Sequence, residues 1–329
     1  MSYSTAFNLV LVLKNFYIKV QVQFLLLKFI AYIIFLIGLS LLNIIYTAIP
    51  FSPVVSGLTT NNTTSSSVGI PATNFDNSKT IRIAVVGDID SNQGLTDQLE
   101  IANRYNAQLL VIPGDLEYTN GKAVLSTLES HGFTKENTDI VVGNHDSKND
   151  VQTWLGSNKT FGEVKFSFTR DKLALFNIDA NIKFDCSSPQ FEMLKSQIES
   201  SKAYFKIAVV HQPFVTVKSD HPPNGEYDCY DPLFRTGKID AVLQAHNHNY
   251  QRFSVNGLFY GVYGTGTHDT GSNMYPLKSN DWQGYDCLKC ITGKNGITIM
   301  DFQLNNNNSK HFVGWFIGMN GEVLDGFQN

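Results

Sequence analysis

Residues 81–88 read IRIAVVGD, a mostly apolar run that stops at Gly87-Asp88. A short β-branched run of this kind is typical of a buried strand. Four later runs share the arrangement, each followed by Asp, Asn or His. These runs are Gln108–Ile112, Asp139–Val142, Phe205–Val210 and Asp240–Leu243, and the polar groups after them are Gly114-Asp115, Gly143-Asn144-His145-Asp146, His211 and His246-Asn247-His248.

The segments between these runs favour an α/β fold. Residues 95–105 and 121–130 have helical patterns. The carboxyl ends of strands form the ligand sites of open α/β sheets, so we expect the polar residues to converge. One Asp after a strand is an ordinary turn residue, but five such strand ends together predict a site. Carboxylate, amide and imidazole ligands suit iron, manganese or zinc.

The five blocks, in this order, resemble the signature of the calcineurin-like metallophosphoesterases over roughly residues 80–270. Residues 114–118 (GDLEY) and 246–252 (HNHNYQR) are similar to two blocks of the purple acid phosphatase branch. The resemblance implies a four-layer α/β/β/α sandwich and a metal-dependent phosphoesterase. It also implies two metal ions, Fe³⁺ with Fe²⁺, Zn²⁺ or Mn²⁺, because a tyrosine ligand favours ferric iron.

The resemblance assigns a role to each block. The first metal would be bound by Asp88, Asp115, Tyr118 and His248, and the second by Asn144, His211 and His246, with Asp115 bridging the two. Hydroxide generated at the metal pair would attack phosphorus. Asn144 and His145 would bind the phosphate, and His145 would protonate the leaving group. We expect Asp146 to orient His145 and Arg252 to be a further phosphate donor.

The expected activity is the hydrolysis of phosphate monoesters. Alternatives are a phosphodiesterase acting on nucleotides or lipid head groups, and a non-catalytic surface-binding protein on the same fold. The net charge of −4 excludes nucleic acid as the main partner.

Three further polar residues lie outside these assigned roles. Asp90 stands where relatives have His or Gly, and it is an extra ligand, an outer hydrogen-bond acceptor or a plain loop residue. His221 is expected to be a solvent-facing loop residue. His268, in a Gly/Thr-rich stretch, is a candidate to line the site.

The first 79 residues differ in composition from the rest. Residues 29–49 carry no charge and are long enough for a transmembrane helix. Only Lys14, Lys19 and Lys28 supply charge before them, so we expect residues 1–28 to be cytoplasmic and the segment to be an uncleaved anchor. Residues 50–79 are predicted to be a flexible stalk rich in Ser, Thr and Asn. The catalytic domain would then be residues 80–329 and lie outside the cytoplasm. On that side, the sequons at Asn61 and Asn62 in the stalk and at Asn158 and Asn307 in the domain are candidate glycosylation sites.

The four cysteines, Cys186, Cys229, Cys287 and Cys290, favour two disulfides in an external domain. The alternative for Cys287 and Cys290 is half of a zinc site, and the connectivity is not readable from the sequence. After residue 258, four β-like runs (LFYGVYG, GITIMDFQL, HFVGWFI and GEVLDGF) are predicted to form the second sheet of the sandwich.

Overall fold

Helices and strands alternate along most of the chain in the computed structural model. It describes residues 71–72, 75–116, 118, 121–156, 160–170, 172–217, 221–268, 281–304 and 309–329. Its α-helices are Gln93–Arg104 (α1), Gly121–Ser130 (α2), Lys148–Leu155 (α3), Pro189–Ser200 (α4) and Tyr227–Thr236 (α5). Side-chain caps from Asn92, Ser147 and Ser188 begin α1, α3 and α4 by accepting backbone N–H groups that have no helical partner.

The strands form two large sheets and one small hairpin. They are Thr80–Val85 (β1), Leu109–Ile112 (β2), Thr138–Ile140 (β3), Gly162–Val164 (β4), Leu173–Ile178 (β5), Phe205–Val210 (β6), Ala241–Gln244 (β7), Tyr250–Val255 (β8), Leu258–Tyr263 (β9), Asp281–Trp282 (β10), Tyr285–Asp286 (β11), Lys289–Ile291 (β12), Gly296–Leu304 (β13), Lys310–Gly318 (β14) and Val323–Gln328 (β15). Sheet 1 has the order β15-β14-β13-β1-β2-β3, and sheet 2 has the order β12-β8-β9-β7-β6-β5-β4.

Strand β1 shows why the two sheets pack face to face. Alternate residues of a strand point to opposite faces. Ile83 and Val85 join an apolar cluster that contains side chains from both sheets, whereas Ala84 joins a cluster with α1, α2 and α3. A third cluster lies between sheet 2 and the helices α4 and α5. The prediction of a mixed α/β fold with two sheets is therefore confirmed.

The prediction that the C-terminal runs form the second sheet is wrong. Of the four runs, only the first, which forms β9, belongs to sheet 2. Strand β13 pairs with β1 in antiparallel register, and β14 and β15 extend sheet 1 beyond it. Alternation of apolar residues predicts that a segment is a strand, but it does not specify which strand is its partner.

The predicted N-terminal segments lie largely outside the described residues. This holds for residues 1–28, for the anchor at residues 29–49 and for most of the stalk. Within the described residues, no helix combines the length and the apolar composition needed to cross a bilayer. The end of the predicted stalk packs on the domain that follows it, because Ala72 and Phe75 both contact Arg82.

All four cysteines are paired in disulfides. Cys186 bonds to Cys229, and Cys287 bonds to Cys290. The first disulfide joins the segment before α4 to α5. The second makes the zinc alternative for Cys287 and Cys290 wrong, because disulfide-bonded sulfur atoms are not thiolate ligands.

A buried ion pair fastens the centre of sheet 1. Arg82 on β1 is 1% exposed, and Asp301 lies opposite it on β13. Arg82 Nε donates to Asp301 Oδ1 at 2.6 Å, and Nη2 donates to Oδ2 at 2.7 Å. Its Nη1 donates to the carbonyl oxygens of Ala72 and Tyr105. The pair therefore neutralises both charges, and two carbonyl oxygens give the guanidinium further acceptors.

We expect Arg82→Met to lower the free energy of unfolding by about 3–5 kcal/mol, because it leaves the Asp301 carboxylate buried without a counter-charge. Urea denaturation measures this loss. The double variant Arg82→Met/Asp301→Leu is the control and should recover most of it, since it removes the orphaned charge as well. A loss below about 1 kcal/mol in the single variant would contradict this account of the pair.

Candidate metal centre

Seven polar side chains gather where five strands end. Three strands of sheet 1 and two of sheet 2 supply six of them, and the loop after β2 adds the seventh, Tyr118. The seven are those of the sequence prediction: Asp88, Asp115, Tyr118, Asn144, His211, His246 and His248.

The first group of ligand atoms surrounds the Tyr118 hydroxyl. Tyr118 Oη lies 3.0 Å from Asp88 Oδ1 and 3.0 Å from His248 Nε2. His248 Nε2 in turn lies 3.1 Å from Asp88 Oδ1. Asp88 and His248 are both buried, whereas Tyr118 is half-buried. These two oxygen atoms and one nitrogen atom therefore form a compact triangle of possible metal-ligand atoms.

The second group surrounds His211 Nε2. This atom lies 3.1 Å from Asn144 Oδ1 and 3.2 Å from His246 Nδ1. His211 Nδ1 lies 2.9 Å from the Pro113 carbonyl, so it carries the proton and leaves Nε2 free to bind an ion. This outer hydrogen bond therefore selects the tautomer that a metal ligand needs.

Asp115 belongs to both groups. Its Oδ2 lies 2.8 Å from Tyr118 Oη and 3.2 Å from His211 Nε2. Asp115, His211 and His246 also form a cluster with metal-binding spacing. Two ligand atoms that each lie about 2.1 Å from one ion, with a right angle between the two bonds, are about 3.0 Å apart. The spacings in both groups match this value, so the residues fit two ions that share Asp115.

The charges of the site favour cations. Burial alone would raise the pKa of Asp115 and lower that of His211. The attraction between the two side chains has the opposite effect on each pKa and is stronger. The Asp115 pKa is therefore held below its usual range, and the His211 pKa is raised to about 9. Burial, followed by the two carboxylates, raises the Tyr118 pKa far above its usual range. Two buried carboxylates therefore attract positive charge, which a metal ion would supply more strongly than a proton.

His246 is prepared to act as a neutral ligand. Burial, together with the neighbouring His211 and His221 rings, lowers its pKa to about 3. Imidazole binds metals in its neutral form, so His246 needs to lose no proton at neutral pH.

Three of the ligands adopt an unusual backbone conformation. Asp88, Asp115 and His246 have φ values of 56°, 56° and 69°, in the left-handed region that side chains rarely adopt. Such conformations cluster at functional sites, where the surrounding structure enforces them. Gly143 is part of that enforcement, because a Cβ there would overlap Asp115 Oδ1.

Asp146, which is predicted to orient His145, accepts hydrogen bonds from the backbone of two loops. Its Oδ2 accepts hydrogen bonds from the backbone N–H groups of Asp115 and Gly143, at 2.9 and 2.7 Å. Its Oδ1 accepts from Leu116 N at 2.7 Å. Asp146 therefore ties the loop after β2 to the loop after β3. Burial and then the Asp115 charge raise its pKa to about 6.

His145 lies at the open side of the site. Its side chain is exposed, and its ring centroid lies 4.7 Å from that of Tyr118. Its backbone N–H donates to Asp115 Oδ1 at 2.9 Å, which fixes the main chain beside the ligands. Asn144 is also exposed. A substrate can therefore reach both residues from solvent.

Arg252, which is predicted to bind phosphate, is engaged by other residues in this structure. Its Nε donates to Asp325 Oδ2 at 2.8 Å, and its guanidinium lies over the Phe327 ring. Tyr250 donates to the same carboxylate. Arg252 is therefore part of a contact between sheet 2 and β15, which no local pattern in the sequence specifies.

Two other histidines line the site. The His268 ring stacks on Tyr118 at 3.4 Å, with Asp90 Oδ2 4.0 Å from its Nδ1. Asp90 therefore lies beside His268. The His221 ring stacks on His246 at 3.9 Å and is half-buried, so the expectation of a solvent-facing residue is wrong. The sequence does contain a signal for this position of His221, because its loop follows the strand end that carries His211.

A comparison with protein families agrees with this geometry. The model of the calcineurin-like phosphoesterases matches residues 81–250, which is more than half of the chain. The chain belongs to this family. The match contains all seven candidate ligands, and the family uses a dinuclear metal centre.

Among individual family members, the chain is similar to purple acid phosphatases. Probable purple acid phosphatase 20 of Arabidopsis thaliana is 22% identical over an alignment of 204 residues, and the match covers 53% of this chain and 47% of that protein. The chain thus spans about half the length of this curated relative.

Two solved structures share the fold. One is a purple acid phosphatase, PPD1, from yellow lupin (Lupinus luteus) seeds, with a TM-score of 0.57, 14% identity and coverage of 76% of this chain and 53% of that one. The other is GAP50, the anchor in the inner membrane complex of Plasmodium, with a TM-score of 0.56, 17% identity and coverage of 76% and 88%.

We expect Asp146→Asn to weaken metal binding by about 10- to 100-fold, although Asp146 is not among the seven ligands. The amide replaces one acceptor oxygen with a donor that faces backbone N–H groups, so the two ligand loops separate. Calorimetric titration of the metal-free protein with Zn²⁺ or Mn²⁺ measures this affinity. Asp150→Asn, in the first turn of α3, is the matched control. Unchanged affinity in Asp146→Asn would show that the loops hold their positions without this carboxylate.

Proposed function

We propose that this protein hydrolyses phosphate monoesters, in the manner of an acid phosphatase, with two metal ions. The observation that carries the proposal is the position of Asp115 Oδ2, which lies within 3.2 Å of both ligand groups. The family match and the purple acid phosphatase similarity support the same chemistry. The ligand set supports iron for the Tyr118 site, because phenolate is a hard anionic donor suited to Fe³⁺.

Two bound ions would offset the negative charge of the ester and lower the pKa of a water molecule towards neutrality. Asp88, Tyr118 and His248 would hold the first ion, and Asn144, His211 and His246 the second. Asp115 would keep the two ions at a fixed separation. The outer hydrogen bonds of His211 and Asp146 hold these side chains ready before substrate arrives.

Asn144 and His145 contribute to substrate binding in this proposal. Both are exposed next to the buried ligands, so a phosphate that reaches the site meets them first. We assign His145 as the general acid that donates a proton to the leaving oxygen. Imidazole titrates near neutral pH and suits this step. The stacking of His145 on Tyr118 restricts where its ring can lie.

The intact ligand set argues against a purely structural, surface-binding role. A non-catalytic protein on this fold would not need to keep the metal ligands, yet all seven candidate side chains converge here. We therefore favour an enzyme.

We expect the purified full-length chain, loaded with iron, zinc or manganese, to release phosphate from an aryl phosphomonoester. Asp115→Asn should abolish turnover because it removes the charge shared by both ion sites. His145→Ala should lower kcat by about 10²- to 10⁴-fold while metal content is retained, as expected for loss of a general acid. Metal content is measured on the same samples by elemental analysis.

The substrate panel includes an aryl phosphodiester as well as the monoester. Faster cleavage of the diester would replace the acid-phosphatase assignment with a phosphodiesterase. Absence of turnover on either ester, in protein that retains two ions, would refute the enzyme and leave surface binding as the function of the fold.

We further propose that the catalytic unit is membrane-anchored and lies outside the cytoplasm. The two disulfides support this location, since they persist in oxidising compartments. The uncharged run at residues 29–49, which follows only basic residues, supports an N-terminal anchor. The sequons at Asn158 and Asn307 would then be available for glycosylation.

Expression of the full chain with a C-terminal epitope in intact eukaryotic cells tests the location. We expect antibody to label the epitope without permeabilisation, and carbonate extraction to leave the protein in the membrane pellet. Endoglycosidase treatment should increase its mobility, and Asn158→Gln/Asn307→Gln should reduce that shift. Release into the carbonate supernatant, or labelling only after permeabilisation, would contradict the anchored, external location.

A further inference from the structure

The loop after β5 carries a residue that contacts the loops of two candidate ligands. Strand β5 lies beside β6 in sheet 2 and supplies none of the seven ligands. Three residues beyond its end at Ile178, the side chain of Asn181 bonds to the loop after β3 in sheet 1 and to the loop after β6 in sheet 2. These two loops carry Asn144 and His211. Asn181 therefore links the two sheets beside the second group of ligand atoms.

Both ends of the Asn181 amide are hydrogen-bonded. Its Nδ2 donates to the carbonyl oxygen of Val142 at 3.0 Å and to that of Gly143 at 3.1 Å. Its Oδ1 accepts from Gln212 Nε2 at 3.3 Å. Carbonyl oxygens only accept, so these bonds require the amide to present its NH₂ group to the loop after β3. One side chain thus ties the main chain of one loop to a side chain of the other.

The partners of Asn181 are adjacent in sequence to two ligands of the same candidate ion. Gly143 directly precedes Asn144, and Gln212 directly follows His211. Asn144 Oδ1 and His211 Nε2 lie 3.1 Å apart in the second group. The distance between these two ligand atoms depends on the distance between their loops, which lie on different sheets. Asn181 is a direct link between those loops.

Asn181 and Asp146 both fasten Gly143, through different atoms. The Gly143 N–H donates to Asp146 Oδ2 at 2.7 Å, and the Gly143 carbonyl oxygen accepts from Asn181. Asp146 also accepts from the backbone of the loop after β2, so it ties two loops of sheet 1 together. Asn181 ties the same loop after β3 to sheet 2. The residue before Asn144 is therefore held from both directions.

The main chain at Asn181 is itself fixed. Its N–H donates to Asp179 Oδ1 at 3.1 Å. Asp179 is fully buried, and its own N–H and carbonyl oxygen bond to the Gln190 side chain of α4. Asn181, in contrast, is exposed. A substitution of Asn181 opens no cavity in the core, so we expect its variants to fold.

We propose that Asn181 is a positioning residue for the second metal ion. It keeps the loops of Asn144 and His211 at the separation at which both side chains reach one ion. This inference rests on the two-ion site of the proposed function. None of the hydrogen-bond partners of the Asn181 side chain is adjacent in sequence to the three ligands that bind only the first ion. Asn181 therefore acts on one ion and not on the other.

Release of Zn²⁺ from the loaded full-length chain into a chelator tests the proposal. Two bound ions should give two kinetic phases, and the phase that is missing in His246→Ala belongs to the second ion. Asn181→Leu keeps the approximate size of the side chain and removes its donors and its acceptor. We expect this variant to release the second ion about tenfold faster and the first ion at an unchanged rate. Asn149→Leu, at an exposed position of α3, is the matched control and should behave as the wild type.

A second comparison tests whether Asn181 acts through the loop after β6. Gln212→Leu breaks that link and leaves the bonds to the two carbonyl oxygens in place. It should also accelerate release of the second ion, but its effect should not add to that of Asn181→Leu, which has already removed the link.

Three results would overturn the inference while the proposed function stands. They are second-ion release in Asn181→Leu at the wild-type rate, equal acceleration of both phases, as expected for a general loss of stability, and additive effects in the Asn181→Leu/Gln212→Leu variant. A wild-type protein that binds fewer than two ions would instead overturn the proposed function together with this inference.

Discussion

The Asp115 carboxylate is the contact on which the candidate site depends. It is 1% exposed, its Oδ2 lies between the two groups of ligand atoms, and its Oδ1 accepts from the His145 backbone N–H at 2.9 Å. A buried charge of this kind is tolerated only when cations and hydrogen bonds surround it. The chain meets this constraint by placing His211, Tyr118 and the loop after β3 around Asp115. The positions of the side chains in the site therefore depend on the positions of these loops.

Two sheets supply that arrangement together. Strands β1, β2 and β3 carry Asp88, Asp115 and Asn144, while β6 and β7 carry His211 and His246. The apolar cluster between the sheets therefore determines how far one set of ligands lies from the other. The close packing of such a core resists deformation, which suits a site whose ligand atoms lie about 3 Å apart. Asp146 adds a direct tie between two of the ligand loops.

Local features of the structure could be predicted from the sequence, and long-range pairing could not. The bounds of β6 and α2 agree with the predicted Phe205–Val210 and 121–130, because apolar periodicity reports local conformation. Six of the seven candidate ligands converge as expected because each lies close behind a strand end, and Tyr118 joins them from the loop after β2. Arg252, in contrast, pairs with Asp325, and β13 pairs with β1, and neither contact leaves a trace in the neighbouring residues. The stacking of His221 on His246 likewise depends on the path of a loop.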